Sequence, residues 1–376
     1  MPKSQILNAS VTDSTLTTTK LATPNLGRRN LIINGAMNVA QRGTSTTGIT
    51  SGGYYTVDRF RFGMNGRDEG VYTNAQVSDA PSGFSSSFKV TTTTAESAID
   101  ADDLVWTEQR FEGQNLQQLK NGSSDAEKVT LSFYVKSSIT GTFGVSLYKP
   151  ENTFRIINAT YTINSANTWE QKVITFDGDT SGGGIDNDNT EALRIAWHLA
   201  SGSTYDSTNS TSWADYNNSN WAGGHAQDGV ITTTNATWQL TGVQLEVGDF
   251  PNGTPFEHRS FGEELALCQR YFYKFVNGNS QSVMTASAIL ANYIQGSISF
   301  PVTMRSAPTF ESSDGTNHFQ IYSATSGAAS FDAFGAQQQH INGITLLKNG
   351  TSITAGQSAI VYTNSSSAFL NFDSEL

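Results

Sequence analysis

The residues best suited to chemistry in this chain of 376 residues are three groups of acidic side chains. They are Asp100-Asp102-Asp103, Asp177-Asp179 and Asp186-Asp188-Glu191. A glycan-cleaving enzyme needs two carboxyl groups on opposite sides of a sugar groove, so these groups raise the question of a depolymerase. All three lie in stretches rich in Gly or Asn, where acidic residues are ordinarily solvated turn residues. We therefore expect no catalytic residues, and a glycan depolymerase remains the alternative.

The stretch DGDTSGGGIDNDNTE, residues 177–191, also offers oxygen ligands at alternating positions, as calcium prefers. Its spacing is not that of an EF-hand loop, and turns of Gly and Asp form without any metal. Asp186 and Asp188 are the candidate ligands of a structural calcium ion, the one cofactor that the sequence suggests.

Other chemistry has little support in the sequence. The five histidines are scattered without a His or Cys partner at ligand spacing, which argues against a transition-metal site. The single cysteine, Cys268, excludes an intrachain disulfide, and we expect it to be a buried, inert thiol. A net charge of −11 argues against nucleic acid as a partner. No apolar run approaches transmembrane length or resembles a secretion signal, so we expect no membrane insertion.

The strongest candidate for ligand contact is the long polar stretch 201–229, which contains Tyr205, Trp213, Tyr216 and Trp221. Aromatic rings can stack on the C–H faces of a sugar while neighbouring amides and carboxylates bind its hydroxyl groups. The alternative is that the two tryptophans plug the end of a β-sandwich, because large aromatics in long loops usually anchor them. For Trp213 and Trp221 we favour this structural role, and we retain all four residues as candidates for glycan contact.

The elements that must position these residues are β-strands. Only 15% of residues are charged, while Thr and aromatic residues, which suit strands, alternate with the Gly and Asn of turns. Strand-like runs such as YYTVDRFRF (54–62) and VTLSFYVKSS (129–138) recur at fairly regular spacing, which predicts an all-β fold with a jelly-roll sandwich over residues 30–258.

One short helix interrupts this pattern. Ser260 and Glu263 form a capping-box pair, and the apolar residues that follow predict a helix over 260–270. The aromatic run from Tyr271 then favours a strand. Residues 259–376 are therefore predicted to be this helix and a second, smaller β-sandwich domain. Because that domain carries so few charges, we expect its faces to be buried against copies of itself.

Residues 1–29 contain too few large apolar side chains to form a core. Their basic residues are Lys3, Lys20, Arg28 and Arg29, against one acid, Asp13. A basic, Thr-rich end on an acidic body indicates an extended attachment arm.

Several phrases of the chain resemble a family of tailed-phage virion proteins, described as tail-fibre or receptor-binding-type structural proteins. The phrases are NLIINGAMNVAQRGTS (30–45), LVWTEQRFEGQNLQQL (104–119), VTLSFYVKSS (129–138), TPFEHRSFGEELALCQRYFYK (254–274) and SFPVTMRSAPTF (299–310). The resemblance covers nearly the whole chain from Asn30. It implies a jelly roll similar to carbohydrate-binding modules, followed by a small β-domain that trimerises.

The sequence thus predicts a non-enzymatic virion structural protein, a homotrimeric fibre or appendage subunit. It would be made in the host cytoplasm and exposed on the particle, joined to other virion proteins by residues 1–29. Its loops would contact host surface glycans. A capsid or neck protein without a receptor role is the second alternative.

Overall fold

The computed structural model describes residues 28–66 and 69–376. Most of the predicted attachment arm, including Lys3 and Lys20, lies outside the described residues. Arg28 and Arg29 lie within them, and both bind residues near the short helix. Arg28 forms a 2.9 Å ion pair with Glu263, and the Arg29 main-chain N–H donates to Glu257 at 2.7 Å.

The described chain is mostly β-structure. Thirteen strands come before the short helix: β1 Ser45–Ile49, β2 Gly53–Tyr54, β3 Arg61–Asn65, β4 Val71–Val77, β5 Ser87–Thr94, β6 Leu104–Glu112, β7 Val129–Ser137, β8 Gly141–Lys149, β9 Arg155–Ile163, β10 Glu170–Phe176, β11 Glu191–Ser201, β12 Ala214–Asp215 and β13 Thr237–Val247. Ten strands follow it: β14 Phe272–Asn277, β15 Ser282–Leu290, β16 Tyr293–Ser299, β17 Thr309–Ser312, β18 Phe319–Ser323, β19 Gly327–Phe331, β20 Gly335–His340, β21 Gly343–Asn349, β22 Ser358–Thr363 and β23 Phe369–Asp373. The helices are α1 Ser203–Asp206, α2 Gly229–Thr232 and α3 Phe261–Gln269, with 3₁₀ turns at Gly113–Asn115, Gln117–Leu119 and Asn218–Asn220.

The first thirteen strands form a jelly-roll sandwich of two antiparallel sheets. One sheet has the order β1-β4-β5-β13-β7-β10 and the other the order β12-β9-β8-β11-β6-β3-β2. Alternating side chains of both sheets meet in one core, where Phe133 packs edge-on against Tyr161 and Trp197. Since Trp197 points inward from β11, its neighbours Ala196 and His198 belong to the outer face of the seven-stranded sheet.

The predicted strand over 54–62 is wrong in its centre. The structure has the short strand β2, a turn, and then β3, with Arg59 in the left-handed region at φ 71°. That backbone conformation is uncommon for a residue other than glycine. Here Arg59 is fully buried and its guanidinium contacts the C-terminal part of the chain, so a long-range contact overrides the local alternation.

The predicted helix is confirmed. It begins after Ser260, whose hydroxyl accepts from the Glu263 N–H at 3.3 Å, while the Glu263 carboxylate accepts from the Ser260 N–H at 3.1 Å. Cys268 is fully buried on the inner side of α3, and burial raises the pKa of its thiol well above the usual range.

The last ten strands form a second β-sandwich. A three-stranded sheet has the order β14-β23-β17, and a seven-stranded sheet has the order β19-β18-β22-β15-β16-β21-β20. Its separate core contains Phe319, Val361 and Leu370. The division at 258–259 remains a prediction, because α3 and the C-terminal residues contact both sandwiches.

A buried charge network joins the two sandwiches. Arg59 pairs with Glu375, donates to the main-chain oxygen of Arg110 at 2.7 Å, and lies 3.5 Å from the ring centroid of Tyr271. Arg42 also bonds Glu375, at 3.4 Å. The joint is therefore built from charges of the first sandwich and the C-terminal segment of the second.

Candidate functional site

The stretch 201–229 lies across the outer face of the seven-stranded sheet of the first sandwich. There Trp221 packs against three side chains of that face, with ring centroids 6.0 Å from Trp106, 5.3 Å from Tyr148 and 5.9 Å from His198. Trp221 is only 5% exposed and belongs to a small apolar cluster that is separate from the main core. It therefore anchors the loop on the sheet face, and the predicted location at the end of the sandwich is wrong for this residue.

Two of the other predicted residues join the same cluster. Tyr216 lies 4.9 Å from Tyr148 and 5.9 Å from Trp221 between ring centroids, and Tyr205 packs beside them. Both are half-buried, and the Tyr205 hydroxyl accepts a 2.7 Å hydrogen bond from Asn65. The structure thus brings three of the four candidate aromatics together.

Trp213 is placed elsewhere. It packs against the main core of the first sandwich, and its ring N–H donates to the Asp177 main-chain oxygen at 2.6 Å. This contact ties the middle of the loop to the turn after β10. Trp213 therefore makes packing and hydrogen-bond contacts within the first sandwich, and it does not join the other three candidate aromatics.

Three aromatic residues of this face were missed by the sequence analysis. Trp106 and Tyr148 are half-buried on β6 and β8, and Phe154, just before β9, is 60% exposed. The Phe154 and Tyr148 rings are parallel within 2°, with centroids 6.5 Å apart. The strand alternation contained the signal for the first two, because Trp106 and Tyr148 follow the inward-facing Val105 and Leu147. We call Trp106, Tyr148, Phe154, Tyr216 and Trp221 the outer aromatic surface.

A compact charge cluster borders this surface. Glu108, fully buried on β6, pairs with Arg61 at 3.1 Å, Arg110 at 2.7 Å and Arg194 at 3.2 Å. Burial by itself raises the pKa of Glu108, but the three guanidinium groups hold it below the usual value. Glu191 binds Arg194 at 2.8 Å. The cluster thus combines three cations with two carboxylates.

Arg194 links the charge cluster to the aromatic rings. Its guanidinium carbon lies 5.6 Å from the ring centroids of both Tyr148 and Trp221. Strands β8, β11 and β6 are neighbours in the sheet. Arg194 on β11 is paired with Tyr148 on β8 and with Arg110 on β6, so the sheet holds the three side chains side by side. A rigid sheet therefore presents ring faces and hydrogen-bond donors together, which is the combination that suits a sugar.

Two buried histidines connect the loop to the sheet, His198 on β11 and His225 in the loop itself. The rings of His198 and His225 lie 6.4 Å apart; His198 bonds the Ser146 hydroxyl at 2.9 Å, and His225 accepts from the Gly144 N–H at 3.1 Å. Burial, and then His225, lower the pKa of His198 well below its usual value. Their separation in the sequence concealed this pairing.

The candidate calcium ligands do not converge. Asp188 accepts from the N–H and hydroxyl of Thr190 at 2.8 and 2.7 Å, whereas the Asp186 N–H donates to Glu151 at 3.0 Å. Across residues 28–66 and 69–376, no three or more acidic, His or Cys side chains are grouped so as to hold a metal. The pair does not fit the ligand number that calcium requires.

The same loop instead surrounds an internal cation. The Lys149 ammonium is fully buried, 3.0 Å from the Asp179 carboxylate and 2.7 Å from the Gly183 main-chain oxygen, and it also donates to the Gly182 oxygen. Arg155 approaches the other Asp179 oxygen at 3.4 Å. A lysine thus binds other oxygens of the loop in which the sequence suggested calcium, although not the candidate ligands Asp186 and Asp188.

Each of the three acidic groups weighed for catalysis contains at least one carboxylate that makes a structural contact. Asp103 accepts from the Asp100 N–H at 2.9 Å, and burial raises the pKa of Asp103. Asp177 pairs with Lys128 at 3.1 Å.

No helix in the part of the chain that the structure describes is long and apolar enough to cross a membrane.

No protein-family profile and no curated protein matches the chain. Among solved structures, it is similar to the enzymatically active domain of tailspike protein 4 from bacteriophage CBA120, with 12% identity and a TM-score of 0.30 over 60% of this chain. The matched part spans 22% of that tailspike chain. A family 4 carbohydrate-binding module is 12% identical, with a TM-score of 0.29, over 57% of this chain and 97% of the module. The family 11 module from Clostridium thermocellum, solved with a β-1,3-1,4-linked tetrasaccharide, is 9% identical with a TM-score of 0.29, over 56% of this chain and 98% of the module. These similarities are too distant to assign a function.

Proposed function

We propose that the protein is a non-enzymatic structural subunit of a tailed-phage virion that contacts host carbohydrate through its outer aromatic surface. The observation that carries the proposal is a group of half-buried and exposed rings at one sheet face beside Arg194. Trp106 and Tyr148 lie on its strands, and Phe154 and Tyr216 lie in the adjoining loops. Flat rings stack on the C–H faces of sugars, and a guanidinium donates to hydroxyl or carboxylate oxygens.

The virion assignment is supported by the sequence resemblance from Asn30 onward. Assembly as a homotrimer is supported by the second sandwich, in which seven strands of one sheet carry a single Lys or Arg, Lys348, and no acidic residue. Four large apolar side chains are also exposed there: Ile289, Leu290, Tyr322 and Ile360. Charge depletion combined with exposed apolar groups is typical of interfaces between protein chains.

The depolymerase alternative fits the outer aromatic surface poorly. A glycosidase of the usual kind needs one carboxyl group that is protonated when it meets the glycosidic oxygen. The buried carboxylate at this surface, Glu108, is held ionised by three arginines. It can orient arginines, but it cannot act as the general acid.

Binding without cleavage is the test of this function. The full chain is incubated with purified surface polysaccharide of the host, and both retention on immobilised polysaccharide and release of reducing ends are measured. We expect retention without new reducing ends. Release of reducing ends would favour the depolymerase, and absence of retention would contradict the proposal.

The contact surface is tested with a double variant, Phe154→Ala with Tyr216→Ala. Truncating two contact rings should raise Kd by about tenfold or more, since each central aromatic contributes roughly 1 kcal/mol or more. Phe261→Ala is the matched control, because Phe261 on α3 is also 60% exposed but lies outside the surface. An equal effect of the control and the double variant would place the contact elsewhere.

Light scattering of the same samples measures the mass of the assembly and so tests whether it contains three copies of the chain.

A further inference from the structure

A polar, solvent-open cavity of about 280 Å³ lies on the seven-stranded sheet of the second sandwich, among β16, β20 and β21. Its polar lining residues are Ser297, Ser299, Gln338, His340, Asn342 and Thr345. The cavity is in a different sandwich from the outer aromatic surface and shares no residue with it. Within its sheet it lies on the β16-β21-β20 half, whereas the exposed apolar residues that support a trimer interface lie on β15, β18 and β22.

A β-bulge shapes the cavity. Strand β20 pairs Gln337 with Thr345 and then His340 with Gly343, so Gln338 and Gln339 together face the single residue between those partners. Gln338 adopts φ 50°, in the left-handed region that costs energy for residues other than glycine. Bulges often re-aim a side chain next to a functional site, and backbone strain tends to persist where function requires it.

The bulge places Gln338 at the end of a chain of polar groups. Its Oε1 atom accepts from the Thr345 hydroxyl at 3.1 Å, and the Thr345 hydroxyl lies 3.3 Å from that of Ser297. Gln338 and Ser297 are both exposed, so three strands present aligned hydrogen-bonding groups to solvent.

The opposite rim is equally well fixed. His340 accepts through Nδ1 from the Asn342 N–H at 3.4 Å, and Asn342 Oδ1 accepts from the Thr303 hydroxyl at 2.9 Å. Between the rims lies Gly343, where a Cβ atom would come within 2.6 Å of the Ile298 main-chain oxygen. Only glycine allows the two strands to approach this closely, which keeps the floor of the cavity free of a side chain.

The lining contains hydroxyl, amide and imidazole groups together with the buried Ile298 and Ile344, and no Asp, Glu, Lys or Arg. Because most of these polar groups are exposed to solvent, a ligand is held there by direct hydrogen bonds and apolar contact, and an ionic ligand would find no counter-charge. A neutral sugar offers hydroxyl groups to the polar side chains and C–H groups to the two isoleucines, and the volume is close to the lower end for small-molecule sites. We propose that this cavity binds one neutral sugar residue of a glycan, as a second carbohydrate contact of the protein.

The test uses the full chain and three neutral probes, the methyl glycosides of galactose, mannose and N-acetylglucosamine, with glucuronate as the anionic comparison. Saturation-transfer NMR at millimolar concentration should show at least one neutral probe in contact with the protein and a weaker or absent signal from glucuronate. Absence of contact with all three neutral probes would overturn the proposal, as would equal contact with glucuronate.

Two variants locate the contact. Both are made in the background of Phe154→Ala with Tyr216→Ala, so that the outer aromatic surface does not contribute sugar contact. In that background Gln338→Gly removes the amide and also relieves the left-handed backbone, so it should abolish the signal while the melting temperature stays equal or rises. Gln339→Ala is the matched control, because Gln339 is its exposed neighbour in the same bulge and lies outside the cavity lining. Retained contact in Gln338→Gly would overturn the assignment. The signal should persist in Phe154→Ala with Tyr216→Ala, which separates this site from the outer aromatic surface.

Discussion

The joint between the sandwiches is sensitive to a single substitution, Glu375→Gln. Arg59 is fully buried, and its carboxylate partner is Glu375. The substitution keeps the side-chain size but leaves the Arg59 guanidinium with the Arg110 main-chain oxygen, the Tyr271 ring and a neutral amide. Removing one partner of a buried ion pair costs about 3–5 kcal/mol, because the other charge stays buried without compensation. We expect about 3 kcal/mol here.

Urea denaturation followed by tryptophan fluorescence is the appropriate assay. All six tryptophans lie at or before residue 238, so the signal reports on the sandwich that contains Arg59. With a slope of about 3 kcal/mol per molar urea, the expected loss lowers the midpoint by about 1 M. Circular dichroism of the same samples shows whether the second sandwich unfolds in the same transition.

The matched control is Glu127→Gln. Glu127 forms a 2.6 Å pair with Lys120, but both side chains are substantially exposed, and such pairs contribute about 1 kcal/mol or less. A double variant, Arg59→Met with Glu375→Met, removes both charges and should be more stable than Glu375→Gln. If Glu375→Gln shifts the midpoint no more than Glu127→Gln does, the joint does not depend on this buried pair.

Three further predictions concern other buried or capping groups. Lys149→Met should lower the free energy of unfolding by about 3 kcal/mol, because Asp179 loses the buried ammonium group of Lys149. In a urea titration of this variant, added calcium should not restore the midpoint. Burial raises the pKa of Asp58 to about 6, against the lowering effects of Arg42 and a hydrogen bond. The folded state therefore binds this proton more tightly than the unfolded state, and its contribution of about 3 kcal/mol is lost as pH rises from about 4 to 6. The urea midpoint of the wild type should fall between about pH 4 and 6, and that of Asp58→Asn should not. An equal fall in both proteins would contradict the role of Asp58. Ser260→Ala should cost about 1 kcal/mol by removing the helix cap, measured as a lower thermal midpoint, and no change would mean that α3 is held by packing alone.

The fold class was predictable because its signals are local. Strand alternation and turn residues predict the sandwiches, and the capping pair Ser260–Glu263 predicts α3 to within a residue at each end. The failure at 54–62 has a non-local cause. Arg59 leaves the strand because its charge partner, Glu375, lies 316 residues further along the chain. No local pattern could indicate that contact.

The candidate site was predictable only in part. Composition indicated Tyr216 and Trp221 in their loop, but which strands the loop covers depends on sheet order, so Trp106 and Tyr148 stayed hidden. The calcium prediction for the acidic loop had a similar weakness. An oxygen-rich loop does not reveal whether its cation is a metal ion or, as here, the ammonium of Lys149 on a neighbouring strand.

The central claim is that the outer aromatic surface contacts host carbohydrate, and adsorption of particles to host cells tests it most directly. Particles carrying Phe154→Ala with Tyr216→Ala are compared with wild-type particles and with particles carrying Phe261→Ala, after all three are shown to contain equal amounts of the protein. We predict that the double variant adsorbs at least about tenfold more slowly, as expected for two lost ring contacts, and that soluble host polysaccharide slows the wild type to the same rate. Adsorption of the double variant at the wild-type rate, equally sensitive to soluble polysaccharide, would contradict the claim.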